Sequence, residues 1–210
     1  MNDTLTIALP KGRLAEQTLD ILASSGYANE VEADSRQLIY TDTVNRITYL
    51  FVKPVDVVTY VKEGVCDLGI AGKDTIAEED ADIYELFDLG IGACYFAVAG
   101  PTDLDFRSLT TLRIATKYPK VATDYFQSSA QDLQIIKLNG SVELAPLIGL
   151  SDVIVDIVET GSTLRANNLA VLERMQPITA RIIANKASYR RHYDAINQLI
   201  DRLNRRDTND

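Results

Sequence analysis

The chain has 210 residues, 46% of them hydrophobic and 24% charged, enough to bury the core of one medium domain or two small lobes. Asp and Glu total 30 against 21 Lys and Arg, and the resulting net charge of −9 opposes nonspecific binding to nucleic-acid backbones or anionic membranes, though not a local cationic pocket for a small anion. With two cysteines (Cys66, Cys94) and one histidine (His192), a Cys₄ or Cys₂His₂ zinc site is arithmetically impossible, and any Ser-His-Asp or Cys-His mechanism would have to use His192.

Leu5, Ile7 and Leu9 alternate with Thr4, Thr6 and Ala8, which predicts a strand ending at Pro10. From Gly12 the period changes: Leu14, Ala15, Leu19 and Leu22 line one helical face, and Gly26 is a stop signal. Leu38–Tyr40 and Ile47–Val52 read as strands of a hairpin over Thr41–Arg46, and Asp56–Lys62 as a short helix closed by Gly64. Leu68–Gly72 is a short apolar strand, the acidic run Glu78–Asp82 a solvated loop or helix start, and Cys94–Ala99 another strand. Strands are expected at Arg113–Ala115, Leu133–Leu138, Val153–Val158 and Ala180–Ala184, and helices after Pro119, over Ser141–Ile148 and over Leu164–Arg174. Tyr189, Tyr193, Ile196, Leu199, Ile200 and Leu203 complete an amphipathic helix, on whose surface His192 is expected to be solvated.

Strand–helix alternation predicts an α/β fold with mainly parallel sheets flanked by helices. Polar breaks near Gly100–Arg107 and Arg174–Thr179 point to two lobes, the second inserted into the first: residues 1–91 plus 179–210, and residues 92–178, with the ligand in a cleft between them. The longest nearly apolar stretch, Ile91–Gly100, is about half of the ~20 residues that span a bilayer, and the first residues carry no secretory pattern, so a cytoplasmic protein is expected. Cys66 and Cys94 sit in apolar surroundings, as small hydrophobes rather than disulfide partners.

Chemistry gathers at strand-to-loop junctions. In Val153-Ile154-Val155-Asp156-Ile157-Val158-Glu159-Thr160-Gly161-Ser162-Thr163-Leu164 an apolar strand carries one carboxylate and runs into a Thr-Gly-Ser-Thr loop before a helix. A buried carboxylate needs a donor or an open strand end, and the loop's hydroxyls, glycine and helix-start N–H groups suit a phosphate; a turn with Thr and Ser as helix caps is the plainer alternative. Ala8-Leu9-Pro10-Lys11-Gly12-Arg13-Leu14 puts two cations at a strand-to-helix turn, for an anion or as solvated surface charge. Gly64–Asp74 is a glycine-spaced strand and loop ending in Lys73-Asp74, without the Walker A spacing. In Leu138-Asn139-Gly140-Ser141-Val142-Glu143-Leu144-Ala145-Pro146, Asn139 or Ser141 is placed to cap a helix with Glu143 in its first turn. Gly90-Ile91-Gly92 lacks the third glycine of a dinucleotide fingerprint.

Together, Ala-Leu-Pro-Lys-Gly-Arg-Leu at 8–14, Asp-Leu-Gly-Ile-Ala-Gly-Lys-Asp at 67–74, Asn-Gly-Ser-Val-Glu-Leu-Ala-Pro at 139–146 and Asp-Ile-Val-Glu-Thr-Gly-Ser-Thr-Leu at 156–164 resemble the ATP phosphoribosyltransferase family, in order and over essentially the whole chain. The resemblance implies a pair of lobes like those of type II periplasmic binding proteins. It implies transfer of the phosphoribosyl group of phosphoribosyl pyrophosphate (PRPP) to N1 of ATP's adenine, with Mg²⁺ required and pyrophosphate released, as the first step of histidine biosynthesis. Such a displacement, direct and with inversion at C1, needs no covalent nucleophile, since N1 offers its own lone pair; it needs positioning and cations on the leaving group.

By resemblance, Thr160, Gly161, Ser162 and Thr163, with Leu164, hold the 5-phosphate, and Asp156 and Glu159 accept from the ribose hydroxyls. Lys11, Arg13, Arg36 and Lys53 are candidates for pyrophosphate and triphosphate, with Gly12 in the same turn, while Glu143 and Gly72-Lys73-Asp74 border the cleft. Relatives commonly place arginine where Lys53 stands; lysine keeps the charge but loses the planar fork. The length resembles the short form of the family, which implies a homodimer of this chain and a hetero-oligomer, an octamer, with a regulatory subunit resembling histidyl-tRNA synthetase. Two other readings keep part of the pattern: a phosphoribosyltransferase for another base retains the 160–163 loop, and a noncatalytic ligand-binding protein of the same fold dispenses with it.

Overall fold

The computed structural model describes residues 4–28, 31 and 37–207, and Arg36 therefore lies outside the described residues. In chain order the elements are β1 (Leu5–Pro10), α1 (Arg13–Ser24), β2 (Ile39–Asp42), β3 (Ile47–Val52), α2 (Val57–Lys62), β4 (Leu68–Gly72), α3 (Lys73–Glu79) and β5 (Tyr84–Asp88). They continue with β6 (Cys94–Pro101), β7 (Thr111–Thr116), α4 (Pro119–Phe126), β8 (Asp132–Lys137), α5 (Leu144–Leu147), β9 (Val153–Val158), α6 (Ser162–Ala166) and β10 (Leu169–Ile178). The chain closes with β11 (Ala180–Ala184), α7 (Lys186–Arg191) and α8 (Tyr193–Asp207). Two compact units result: Met1–Ile76, Asp80–Gly92 and Thr179–Asp210 form the first, Ala77–Glu79 and Ala93–Ile178 the second.

The first unit is built on a sheet of order β2-β3-β1-β4-β11-β5. Its centre is parallel, with β1 in register against β3 from Leu5–Ile47 to Pro10–Val52 and against β4 at Ile7–Leu68 and Ala8–Gly69. The central strands read as apolar runs because both sheet faces are covered. Ala15, Leu19 and Leu22 of α1 and Ile196, Leu199 and Leu203 of α8 pack on one face; Val57, Val58 and Val61 of α2 and Cys66 pack on the other. The second unit has a sheet of order β10-β6-β9-β7-β8, with α4 supplying Val121, Ala122 and Phe126 to one core and the segments around α5 and α6 supplying Val142, Ala145 and Leu164 to the other.

Both sheets are mixed rather than mainly parallel: β2–β3, β4–β11, β11–β5, β10–β6 and β6–β9 are antiparallel. The helix expected over Leu164–Arg174 is instead one turn, α6, followed by the edge strand β10. Asn168, at φ +55°, ends the helical path, and pairing along β6 satisfies the backbone that local periodicity assigned to a helix. Pro177 is tolerated because β10 is an edge strand and its register slips between Arg174 and Pro177. Over Ser141–Ile148 the helix shrinks to Leu144–Leu147 and has no side-chain cap, so neither Asn139 nor Ser141 plays that part; Ser141 itself sits at φ +41°.

The acidic run is not simply solvated. Glu78 lies in the last turn of α3 and its carboxylate accepts the Lys120 and Val121 N–H groups at 3.2 and 3.1 Å, so it caps the first turn of α4 from a distant part of the sequence. Nor is His192 a solvated helix residue: its side chain is 10% exposed, with Nε2 3.8 Å from the buried Asp67 carboxylate, which also accepts from Thr6 N–H at 2.9 Å and Arg191 Nη2 at 3.1 Å. Cys66 is buried and Cys94 half-buried, and neither is in a disulfide. Among the described residues no helix is long and apolar enough to cross a membrane.

Candidate active site

In the first unit the expected residues share one edge, the carboxyl ends of the parallel strands, where α/β sheets bind ligands. Pro10 and Val52 are the last register pair of β1 and β3, and Lys11 N–H donates to Val52 C=O at 2.9 Å, so Lys11 and Lys53 leave neighbouring strand tips. Both lysines are exposed. Gly12 opens α1 at φ +93°, a conformation that suits a residue without Cβ, and its carbonyl accepts from Ala15 N–H at 2.8 Å. Arg13 is exposed in the first turn of α1.

At the tip of β4 the Asp74 carboxylate folds back over Gly72, where a Cβ would sit 2.1 Å from Asp74 Oδ1. Lys73 is held by an ion pair from its Nζ to Glu85 Oε1 of β5 at 2.5 Å, and its N–H donates to Thr179 C=O at 3.0 Å. Its charge is thus partly committed within the unit.

In the second unit the parallel strands β7, β8 and β9 present their carboxyl ends together: Thr116 is level with both Lys137 and Val155. Asp156 is the next residue along β9, within the strand. It is half-buried, and its Oδ1 accepts the Ile157 N–H at 2.9 Å, a donor of the kind that a carboxylate on an apolar strand requires. Glu159, Thr160, Ser162 and Thr163 are exposed.

Within the loop the Thr160 and Ser162 hydroxyls lie 3.1 Å apart, and Gly161, at φ +71° and ψ +10°, makes the left-handed turn into α6. Leu164 is buried in the core and holds the loop from beneath. Glu143 immediately precedes α5, half-buried, in the segment that follows the tip of β8.

One residue of the loop escaped the sequence reading. Arg165 Nη1 donates to Thr160 C=O at 3.0 Å, and its own N–H bonds Gly161 C=O at 3.1 Å, so a guanidinium braces the turn. The signal was its position four residues after Gly161, one helical turn along.

Comparison with known proteins agrees with this arrangement. The family model for ATP phosphoribosyltransferase matches residues 53–205. An ATP phosphoribosyltransferase of Clostridioides difficile (strain 630) is 55% identical over 199 residues, 94% of this chain and 96% of the relative. One of Bacillus subtilis (strain 168) is 48% identical over 204 residues, 97% of this chain and 95% of the relative. The ATP phosphoribosyl transferase (HisG:HisZ) complex from Thermotoga maritima contains a chain that superposes with a TM-score of 0.85 at 34% identity, over 99% of this chain and 100% of that one. The BvgS VFT2 domain of Bordetella pertussis superposes at 0.59 with 11% identity, over 97% of this chain and 93% of that one; it shares the two-lobed fold of type II periplasmic-binding-like domains. With motifs, fold and relatives in agreement over nearly its full length, the chain belongs to the ATP phosphoribosyltransferase family, the enzymes of the first step of histidine biosynthesis.

Proposed function

We propose that this chain joins N1 of ATP's adenine to C1 of PRPP by direct displacement. The N1 lone pair forms the new bond as the C1–oxygen bond breaks, inverting C1, and the electron pair departs on pyrophosphate. The observation that carries this reading is the run of exposed hydroxyls, Thr160, Ser162 and Thr163, around a left-handed glycine directly beyond Asp156 on β9. Thr160–Thr163 take the 5-phosphate, while Asp156 and Glu159 accept from the ribose hydroxyls and so favour the positive charge that develops at the anomeric carbon. Lys11, Arg13 and Lys53 draw on the pyrophosphate and the triphosphate, with Gly12 allowing close backbone approach. Glu143 and Gly72–Asp74 border the substrates, and Arg36 joins the cations.

The family requires a divalent metal, here taken to be Mg²⁺. Among the described residues no group of three or more His, Cys, Asp or Glu is arranged to hold a metal ion. The carboxylates of Asp156 and Glu159, one either side of a strand end, fit instead a largely hydrated Mg²⁺ that enters on the substrate's own oxygens. When bound, that ion neutralises charge on the departing pyrophosphate.

A regulatory subunit of the kind found in the HisG:HisZ complex completes the assembly around a homodimer of this chain, in the cytoplasm. Incubation with ATP, PRPP and Mg²⁺ should yield phosphoribosyl-ATP, followed by absorbance, and one pyrophosphate per product. A chain that binds PRPP yet releases no pyrophosphate is not this enzyme. Adding the regulatory subunit should raise the rate.

A further inference from the structure

β9 is held on both sides up to Val155 and on one side beyond it. Towards β6 the pairing continues through Ala97–Asp156, Phe96–Ile157 and Tyr95–Val158. Towards β7 it stops at Thr116–Val155. The strand therefore loses one neighbour at the residue before Asp156, the carboxylate assigned above to the ribose hydroxyls.

The last residue on the β7 side is Thr116, whose side chain is 0% exposed. Thr116 Oγ1 donates to Val155 C=O at 2.6 Å and accepts the Tyr118 N–H at 2.8 Å, so one buried hydroxyl ties the middle of β9 to the turn leaving β7. The surrounding face is otherwise apolar, with Ile114, Val153 and Val155 all fully buried in the same core. A valine would fill that space without the desolvation cost of a hydroxyl, which is offset here only because both of its bonding capacities are used.

The Val155 carbonyl and the Asp156 N–H belong to one rigid peptide plane. Fixing the carbonyl fixes the plane, and with it the direction in which the chain enters Asp156. On the far side of that residue, the Ile157 N–H fixes the carboxylate at 2.9 Å. We propose that Thr116 is a positioning residue for phosphoribosyl transfer: its hydroxyl locks the Val155–Asp156 peptide where the β7–β9 ladder ends, and so presents the Asp156 carboxylate to the ribose. The inference rests on the assignment of Asp156 made under the proposed function.

The test compares the full chain with Thr116→Val and Thr116→Ser, measuring PRPP affinity in Mg²⁺ by calorimetry and the steady-state constants for both substrates. Loss of one well-aligned hydrogen bond corresponds to about tenfold in affinity. T116V should therefore raise the Kd and KM for PRPP about tenfold and leave the KM for ATP within about twofold. T116S keeps the hydroxyl and should restore PRPP binding to within about twofold of the parent. In an Asp156→Asn background T116V should add less than about twofold, because the carboxylate it positions is already gone.

Unchanged PRPP constants in T116V overturn the proposal. So does a serine variant as impaired as the valine one, an equal loss for ATP and PRPP, or full additivity with D156N; each would mark Thr116 as part of the general packing. A parent protein that binds no PRPP overturns the Asp156 assignment itself and this inference with it, whereas a parent that binds PRPP normally beside an unaffected T116V overturns this inference alone.

Discussion

Gly161 carries the conformational cost of the proposed phosphate loop, and replacing it by alanine measures that cost. At φ +71° and ψ +10° the residue lies in the left-handed region, where an L side chain costs roughly 1–2 kcal/mol. A Cβ there would also sit 3.2 Å from Arg165 Nη1, the guanidinium that braces the Thr160 carbonyl at 3.0 Å, so the brace must shift by a few tenths of an ångström. The strain has two places to go. If the variant keeps the turn, the folded state is destabilised and the melting temperature falls. If the exposed loop relaxes, the turn must be rebuilt around the phosphate, and PRPP affinity falls about 5–30-fold for the same energy.

Because Thr160, Ser162 and Thr163 are exposed while Leu164 is buried beneath them, the loop can relax locally, and the loss is expected in binding. Calorimetric titration of Gly161→Ala with PRPP in Mg²⁺, beside its thermal melt, reads both outcomes. Gly161→Asn should fall between alanine and the parent, since asparagine tolerates this region better. A Gly161→Ala protein with PRPP affinity within twofold of the parent and an unchanged melting temperature would refute the argument that the left-handed turn is required.

Lys53→Ala should lower kcat by about 10–100-fold, with a smaller loss of PRPP affinity, because a cation on the leaving group acts mainly in the transition state; Lys53→Arg should retain turnover, and equal steady-state constants for Lys53→Ala and the parent would exclude the role. Hydrogen bonds from Arg113, to Asp152 Oδ1 at 2.6 Å and Oδ2 at 3.1 Å, hold the Asp152 carboxyl below the usual carboxylate range. A depressed folded pKa gives stability that is present above the unfolded value of about 3.9 and lost as the pH falls through the folded one. Asp152→Asn should therefore melt below the parent at pH 7, with the gap closing under about pH 4; a constant gap across a series of melts contradicts the assignment. Burial pushes the Cys66 thiol up to about 12, so alkylation of the native protein at neutral pH should reach Cys94 first and Cys66 only on unfolding, as peptide mass mapping would reveal.

Elements whose partners are near in sequence, or whose period is strict, were legible without coordinates. β1 and α1 follow from the change of period at Pro10–Gly12, and the β2–β3 hairpin from two short runs around a polar turn. What escaped has its cause far along the chain. β5, Tyr-Glu-Leu-Phe-Asp, shows no clean alternation and is a strand because β11, some hundred residues later, pairs with it. β10 carries a run that satisfies helical spacing equally well, and only the edge of β6 decides against it. Some forty residues separate Glu78 from the α4 turn that it caps, which is why a run of carboxylates looked like surface.

The candidate site was more legible than the sheets because its residues lie immediately after strands, and a strand's end is marked in sequence by where the apolar run stops. That rule located Lys11, Gly72 and the Thr160–Thr163 loop without knowledge of strand order, whereas Lys53 came from the family resemblance, and the parallel register of β1 and β3 then accounts for Lys11 and Lys53 standing side by side. The rule is blind to what supports those ends. Glu85 neutralises Lys73, Arg165 braces Thr160, and Thr116 clamps the peptide before Asp156, and none of the three is marked by a motif. Each acts through a backbone carbonyl or an ion pair, partners that place few demands on side-chain identity elsewhere in the chain. A sequence pattern therefore records the groups that meet a ligand more faithfully than those that aim them, and this is why substitution of the second kind, at Thr116 above all, carries the most information about how this enzyme holds its sugar.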